Sequence, residues 1–298
     1  MSKPNLCPFR SGYVAVLGRP NVGKSTLINR LLGEKVAIVS PKPQTTRRLQ
    51  LGIFTDAHHQ IIFMDTPGIH RHKQAFGQKM VASAIQAFKN ADVLLWLTDV
   101  CQAPNAADVQ IAQILKRRKE EQTLFLVGNK IDRLMDGVPS HEESYRELST
   151  AECHLQISAL HGDGVGDLLA TLCHHLPEGP MLYPADQISD ANMRFTAAEI
   201  IRENILNHCE QEIPHASAVE ITSYQELPAL TVISAVIFVE KDSQKGILIG
   251  KGGRMIKRIG QGARRALEEM TAAHIHLDLR VKTHKNWRRD EEFIQRLG

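Results

Sequence analysis

The chain has no long apolar run. Nowhere in its 298 residues does a hydrophobic stretch approach the roughly 20 residues needed to span a bilayer. Its start, "MSKPNLCPFRSG", lacks the apolar centre of a signal peptide, and the two absences together predict a cytoplasmic protein. Cysteine is scarce. The five present (Cys7, Cys101, Cys153, Cys173, Cys209) are an odd number without C-x-x-C spacing, which excludes a disulfide framework and predicts free thiols. Histidine is not scarce, at 14, but no H-E-x-x-H or Cys/His finger occurs. His70, His72 and the His174–His175 pair therefore read as solvated loop and helix-end residues rather than metal ligands.

Acidic charge is missing where basic charge is densest. The net charge of +3 says little, but its distribution is uneven. Residues 241–265 hold eight Lys or Arg against one acid, Asp242, and residues 280–289 hold five more with no acid. A basic concentration in the last quarter points to nucleic acid, with a solvated face as the plain alternative.

Apolar runs at 13–18, 60–65, 92–100, 123–129 and 154–158 alternate with helical patterns at 24–33, near 76–89, 106–120, 141–149 and 165–175. Strands apolar throughout and separated by helices predict an α/β unit with a mostly parallel sheet covered on both faces. The pattern breaks at "PEGPMLYPADQISDANMR", where proline, glycine and polar residues mark a boundary. We place a first domain at 11–178, a linker at 179–194 and a second, smaller α+β domain at 195–298. The second reads helix, strand, strand, helix, helix, strand, beginning with an amphipathic helix at "FTAAEIIRENILNHC". The linear pattern contains no long repeat.

"GRPNVGKS" (18–25) stands between a strand and a helix and fits G-x-x-x-x-G-K-[ST]. Gly18 and Gly23 let the backbone wrap a β-phosphate, Lys24 carries charge to the β- and γ-phosphates, and Ser25 offers a hydroxyl to Mg²⁺. Arg19, Pro20, Asn21, Val22 and Thr26 complete the expected nucleotide-binding loop. "DTPG" follows a strand and brings Asp65 near the Mg²⁺ ligands, with the Gly68 amide set to bond a γ-phosphate. "NKID" supplies Asp132 to accept from guanine N1–H and the 2-amino group. An adenine would leave that acid unpaired. Asn129 supports the base and loop, and the Lys130 stem packs over the ring. "SAL", Ser158–Ala159–Leu160, is placed for its backbone amides to reach the guanine oxygen. "SPKPQTTRR" (40–48) reads as a segment that closes on Mg²⁺ with a threonine, Thr46 first and Thr45 beside it. Each short motif is weak alone. Four in order, each at a strand's carboxyl end, are specific.

With "GRPNVGKSTLINRLLG", "SPKPQTTR", "DTPGIH", "NKID", "SAL", "LPEGPMLYP" and "IGKGGRMIKRIG" together, the chain resembles the Era family, the KH-domain branch of the translation-factor-class (TrmE-Era-EngA-like) GTPases. The likeness covers nearly all of the chain beyond residue 11. It implies a P-loop GTPase domain followed by a type II KH domain, with GTP or GDP and Mg²⁺ as ligands. It also implies small-subunit ribosomal RNA near its 3′ end as partner, a role in small-subunit assembly, and peripheral contact with the inner membrane. We expect a monomer.

No glutamine follows "DTPG". Ile69 stands there and cannot orient water by hydrogen bonding, so hydrolysis through Lys24, Thr46 and Gly68 is expected to be slow. Asn21 resembles the asparagine with which related GTPases hold K⁺, an ion that can stand in for an arginine finger. Also missing is any Lys-Ser/Thr ending in the second glycine loop, Gly250–Lys251–Gly252–Gly253. Its setting between two helices, in the order above, fits a KH loop that clamps a single-stranded backbone. Lys251 and Arg254, then Lys257 and Arg258, are expected at phosphate. Ile247, Ile249, Ile256 and Ile259 are spaced to line an apolar groove, but they also sit where a helix packs on the sheet, and core packing is the default for at least half of them. Around this loop aromatics are sparse, with Trp287 and Phe293 in the tail, so base stacking on a sheet is not expected. Two rivals remain on the residues alone. One is a non-hydrolysing RNA-binding protein, which Ile69 permits but Lys24, Ser25 and Asp132 oppose. The other is a membrane-associated GTPase with incidental basic charge.

Overall fold

The computed structural model describes residues 8–37, 49–67, 84–134, 137–210 and 212–296. These fall into two compact units that meet in sequence at Asp190 and Ala191. The first runs β1 (Arg10–Leu17), α1 (Lys24–Leu32), β2 (Gln50–Thr55), β3 (His59–Asp65), α2 (84–90), β4 (Val93–Asp99), α3 (Ala106–Leu115), β5 (Thr123–Asn129), α4 (Glu142–Leu148), β6 (Cys153–Ile157) and α5 (Val165–His175). The strands form a six-stranded sheet in the order β2-β3-β1-β4-β5-β6. Only β2 runs antiparallel to its neighbour.

The continuous apolar runs have a simple cause. Val14 and Val16 of β1 and Leu95 and Leu97 of β4 pack under α1 and α5. The residues between them, Ala15, Leu17, Leu94 and Trp96, pack on the other face against α2, α3 and Tyr145 of α4. Alternate side chains enter opposite cores, so neither face can be polar. Parallel pairing also brings the strands' carboxyl ends to one edge, where Asp65 lies beside Val16, Asp99 beside Asn129, and Asn129 beside Ile157. Loops gather there, where ligands bind in open α/β sheets.

Two features of this unit do not show in the sequence pattern. Strand β2 is not among the apolar runs of the sequence. Its polar first residue, Gln50, and its interior Gly52 weaken the strand pattern, and antiparallel pairing with β3 makes up for it. The stretch that reads as a break also has firm partners. Ser11 Oγ donates to Pro180 O (2.6 Å) and Ile53 N to Ile188 O (2.9 Å). The buried Gln60 amide accepts from Leu182 N and Tyr183 N and donates to Tyr183 O. Residues through Asp190 thus lie along the first unit.

The second unit runs α6 (Met193–His208), α7 (Ile213–Ala216), β7 (Ala218–Leu227), β8 (Leu230–Val239), α8 (Asp242–Ile249), α9 (Arg254–Thr271), β9 (Ile275–Thr283) and α10 (Glu291–Arg296). Its sheet, in the order β7-β8-β9, is antiparallel at the first pair and parallel at the second. On one face Ile233, Ala235 and Ile237 of β8 meet α6 and α9, and on the other Val236 and Phe238 meet Trp287, Phe293 and Ile294. Trp287 is fully buried, with Nε1 donating to Ala216 O (2.8 Å). The tail is therefore a lid on the sheet, and its aromatics are structural. Helix α6 is not amphipathic as its sequence suggested. It buries Arg202, Glu203 and Asn204 along with its isoleucines, the Arg202 guanidinium being bonded to Glu199 (2.6 and 2.8 Å). Helix α9 is the amphipathic one, burying Ile259, Ala263 and Leu267 at a spacing of four and leaving its basic residues exposed.

Candidate nucleotide site and basic groove

After β1 the chain turns through residues 18–23 into α1. Gly23 has φ 106°, and a Cβ there would lie 2.3 Å from Asn129 Nδ2. Glycine is needed because Asn129 crosses at that point. Its Nδ2 donates to Val22 O (2.7 Å), and its Oδ1 accepts from Ala159 N (2.9 Å). One buried amide thus joins three sequence motifs. The second bond ties the Ala159 amide to Asn129.

Lys24 is buried, and its Nζ donates to the carbonyls of Gly18 and Arg19 (3.0 Å each). Burial pulls its pKa down to about 8, partly opposed by Asp65. Ser25 Oγ donates to Asp65 Oδ2 (2.8 Å). Helix α1 starts at Lys24 without a capping side chain and without an acid in its first turn. An uncapped helix end with a buried ammonium suits an anion, and a hydroxyl beside a carboxylate suits a hard cation such as Mg²⁺. The donor set therefore fits a magnesium-bound polyphosphate.

At the end expected to bind the base, Ser158 Oγ donates to Asp132 Oδ1 (2.6 Å) and also accepts from His161 N (3.1 Å). This orients the Asp132 carboxylate, a side-chain role for Ser158 that its motif does not announce. Lys130, at φ 73°, reaches back to Asn21 O (2.9 Å) and to Asp99 Oδ2 (2.8 Å). Asn21 itself sits at φ 65°. Leu160 is 61% exposed, and Arg30 donates to the carbonyls of Ala159 and Leu160. Pro20 lies within the turn before α1, and Thr26 in the first turn of that helix. Thr45, Thr46, Gly68 and Ile69, with His70 and His72, lie outside the described residues.

Elsewhere in this unit, Asp56, His59 and Cys173 stand close enough to share a cation. Asp56 Oδ1 there accepts from the His58 and His59 amides (2.7 Å each), which accounts for it as a turn cap. Cys101, Cys153, Cys173 and Cys209 are free thiols.

In the second unit, Gly250, Gly252 and Gly253 all have positive φ (71°, 63° and 75°). A Cβ at Gly250 would strike Met255 (2.8 Å), whereas Gly252 and Gly253 face open space. Lys251, Arg254, Lys257 and Arg258 are all exposed around the turn. Beside it runs a groove of about 380 Å³ between α9 and β9, lined by Ile256, Lys257, Gly260 and Arg264 on one wall and Ile275, His276, Leu277 and Leu279 on the other. Of the four isoleucines spaced for a groove or for the core, Ile256 lines it. Ile259 is core, Ile247 is exposed, and Ile249 is half-buried at the end of α8. The β9 wall was missed because its alternating pattern reads equally well as plain core.

A family model described as a 50S ribosome-binding GTPase matches residues 13–130, and a KH domain model matches 212–288. GTPase Era of Syntrophus aciditrophicus is 44% identical over 97% of this chain and 95% of its own. That of Geobacter metallireducens is 42% identical over 98% of both. Among solved structures, Era in complex with MgGDPNP and nucleotides 1506–1542 of 16S ribosomal RNA superposes with a TM-score of 0.90 at 38% identity, covering 97% of this chain and 99% of that one. A single-residue variant of Aquifex aeolicus Era bound to GDP·AlF4⁻ matches equally well, at a TM-score of 0.90 and 38% identity. A P-loop unit with a mostly parallel sheet, joined in one chain to a KH unit and matched at this identity over nearly full length, leaves one assignment: the chain belongs to the Era family of GTPases.

Proposed function

We propose that the chain is a slow GTP-driven switch that binds small-subunit ribosomal RNA near its 3′ end and acts in small-subunit assembly. The observation that carries it is the Asn129 bridge with Asp132 held by Ser158, a preset guanine reader tied directly to the phosphate loop. In this reading residues 11–178 form the GTPase domain, 179–194 the linker and 195–298 the KH domain. Lys24 and the first amides of α1 bind the phosphates. Ser25 and a threonine, Thr46 or Thr45, hold Mg²⁺ with Asp65 beside it, and Gly68 senses the γ-phosphate. Bound Mg²⁺ neutralises charge on the β- and γ-phosphate oxygens. Ile69 orients no water, so turnover is slow. Asn21 binds K⁺; hydrolysis should run faster in KCl than in NaCl, and equal rates would remove that role.

Gly250–Lys251–Gly252–Gly253 clamps the RNA backbone, with Ile249 at its edge and Arg254, Lys257 and Arg258 on phosphate. The RNA assignment is carried over from the Era structure solved with a segment of 16S ribosomal RNA. No helix among the described residues is long and apolar enough to cross a membrane. We place the protein in the cytoplasm, as a monomer with peripheral inner-membrane contact. Crosslinking to total cellular RNA with GTP, GDP or no nucleotide tests the reading. Recovery of the 3′ end of small-subunit RNA, in amounts that change with nucleotide, is the expected result. Unrelated RNA, or none, would overturn it.

A further inference from the structure

Between the end of β4 and the start of α3 lies a segment, residues 99–108, that belongs to none of the nucleotide motifs yet bonds to two of them. Asp99 is buried. Its Oδ2 accepts from Lys130 Nζ (2.8 Å) and from Gln102 Nε2 (3.1 Å), and its Oδ1 from Cys101 N (3.1 Å). The other end of the Gln102 amide, Oε1, accepts from Arg19 NH2 (3.0 Å). Arg19 is buried, and its NH1 lies 3.5 Å from Oδ2 of Asp108, which is fully buried. Asp108 cannot swing away. It accepts from Asn105 N (3.0 Å) while Asn105 Oδ1 accepts from Asp108 N (3.4 Å), the reciprocal box that starts α3.

The chain of bonds is continuous: Lys130 to Asp99, Asp99 to Gln102, Gln102 to Arg19, Arg19 to Asp108. Both of its cations also act on the phosphate loop. Lys130 Nζ donates to Asn21 O, and the Arg19 carbonyl accepts from Lys24 Nζ. A buried guanidinium or carboxylate stripped of its partner is strongly disfavoured. We propose that Gln102 and Asp108 are positioning residues for the GTPase reaction. They hold Arg19, and through its carbonyl Lys24, in register with the base-binding loop. Gln102 is the joint, since its one amide satisfies the acid that holds Lys130 and the arginine of the phosphate loop.

The proposal rests on the nucleotide site described above, so the test separates the two. Release of a fluorescent GDP analogue and single-turnover hydrolysis are measured in the full chain. If the parent retains no GDP, or Lys24→Ala retains it as well as the parent, the nucleotide reading fails and not this one. Given binding, Gln102→Leu should speed GDP release about tenfold and slow single-turnover hydrolysis, with guanine preference over adenine kept. Arg19→Met should do the same. The double variant should be no faster in release than Arg19→Met alone, because Gln102 acts through that arginine. A purely structural role would lower the melting temperature without this non-additivity. Unchanged release in Gln102→Leu, or effects that multiply in the double variant, would overturn the proposal. If Gln102→Leu fails to fold, Gln102→Asn, one methylene too short for both bonds, is read by the same two criteria.

Discussion

At the scale of single residues the site is built on buried groups whose ordinary chemistry is displaced, and Lys24 is the clearest. Burial favours its neutral form, so its pKa falls from 10.5 to about 8. Between those values the unfolded chain holds a proton that the folded one lacks. The unliganded fold therefore gains stability as pH rises through that window, and the penalty is complete below it. Binding reverses the sign, because a phosphate favours the ammonium. Affinity for GDP should fall about tenfold per pH unit above the free-protein pKa. Calorimetry at that end of the range, in buffers of different ionisation heat, should show proton uptake on binding, and an affinity flat with pH would refute the assignment. Asp132 gives a second test. Its carboxylate is aimed by Ser158, and Asp132→Asn exchanges an acceptor for a donor. Competition binding should then show preference moving from GTP to xanthosine triphosphate, whose base offers an oxygen where guanine has its amino group. Residue identities such as these were legible in sequence, since motif chemistry fixes atom types. The Asn129 bridge, the Ser158–Asp132 bond and the Gln102 joint were not, because each depends on which loops meet in space.

At the scale of elements, α9 and the glycine turn before it divide stability from binding. Ile259 and Leu267 are fully buried against β8 and β9, and Ile259→Ala should cost about 2–5 kcal/mol, seen in the urea midpoint of the second unit. Gly252 and Gly253 face open space, so aspartates there meet only the strain of positive φ, about 1–2 kcal/mol each. Gly252→Asp with Gly253→Asp should keep the fold and GTP affinity yet abolish RNA binding in a filter assay, through two carboxylates facing the phosphates. Persistent RNA binding would refute the clamp. Element order in this unit was readable from the β-rich run of β8, the alternation in β9 and the punctuating glycines. The contribution of β9 to the groove and the burial of polar residues in α6 were not. Periodicity reports which residues share a face, not what covers it, and Arg202 is covered together with its own partner, Glu199.

At the scale of the whole molecule, a switch needs a connection between the nucleotide and the segment leading to the second unit. Strand β2 follows directly on residues 40–48, which carry the candidate Mg²⁺ threonines. Along β2, Leu51 N donates to Asp190 Oδ1 (2.9 Å), and Gly52 pairs with Ser189. On neighbouring β3, the Gln60 side chain holds Leu182 and Tyr183 (2.7, 2.8 and 2.9 Å). Any shift of β2 or β3 on GTP binding is therefore passed to residues 180–190 through bonds that must break or move with it. Gln60→Leu leaves the Leu182 and Tyr183 groups without these partners, at roughly 1–3 kcal/mol for each that stays buried, and detaches the linker locally. The nucleotide pocket keeps all of its own contacts. We expect GTP and GDP affinities within about twofold of the parent's, inside the usual error of additivity for separated sites. The ratio of RNA affinities between the GTP and GDP states should collapse toward one. Because coupling is reciprocal, RNA should lose its effect on the GTP-to-GDP preference by the same factor, so the two titrations check each other. A parental ratio in Gln60→Leu would mean that the linker bonds carry none of the coupling.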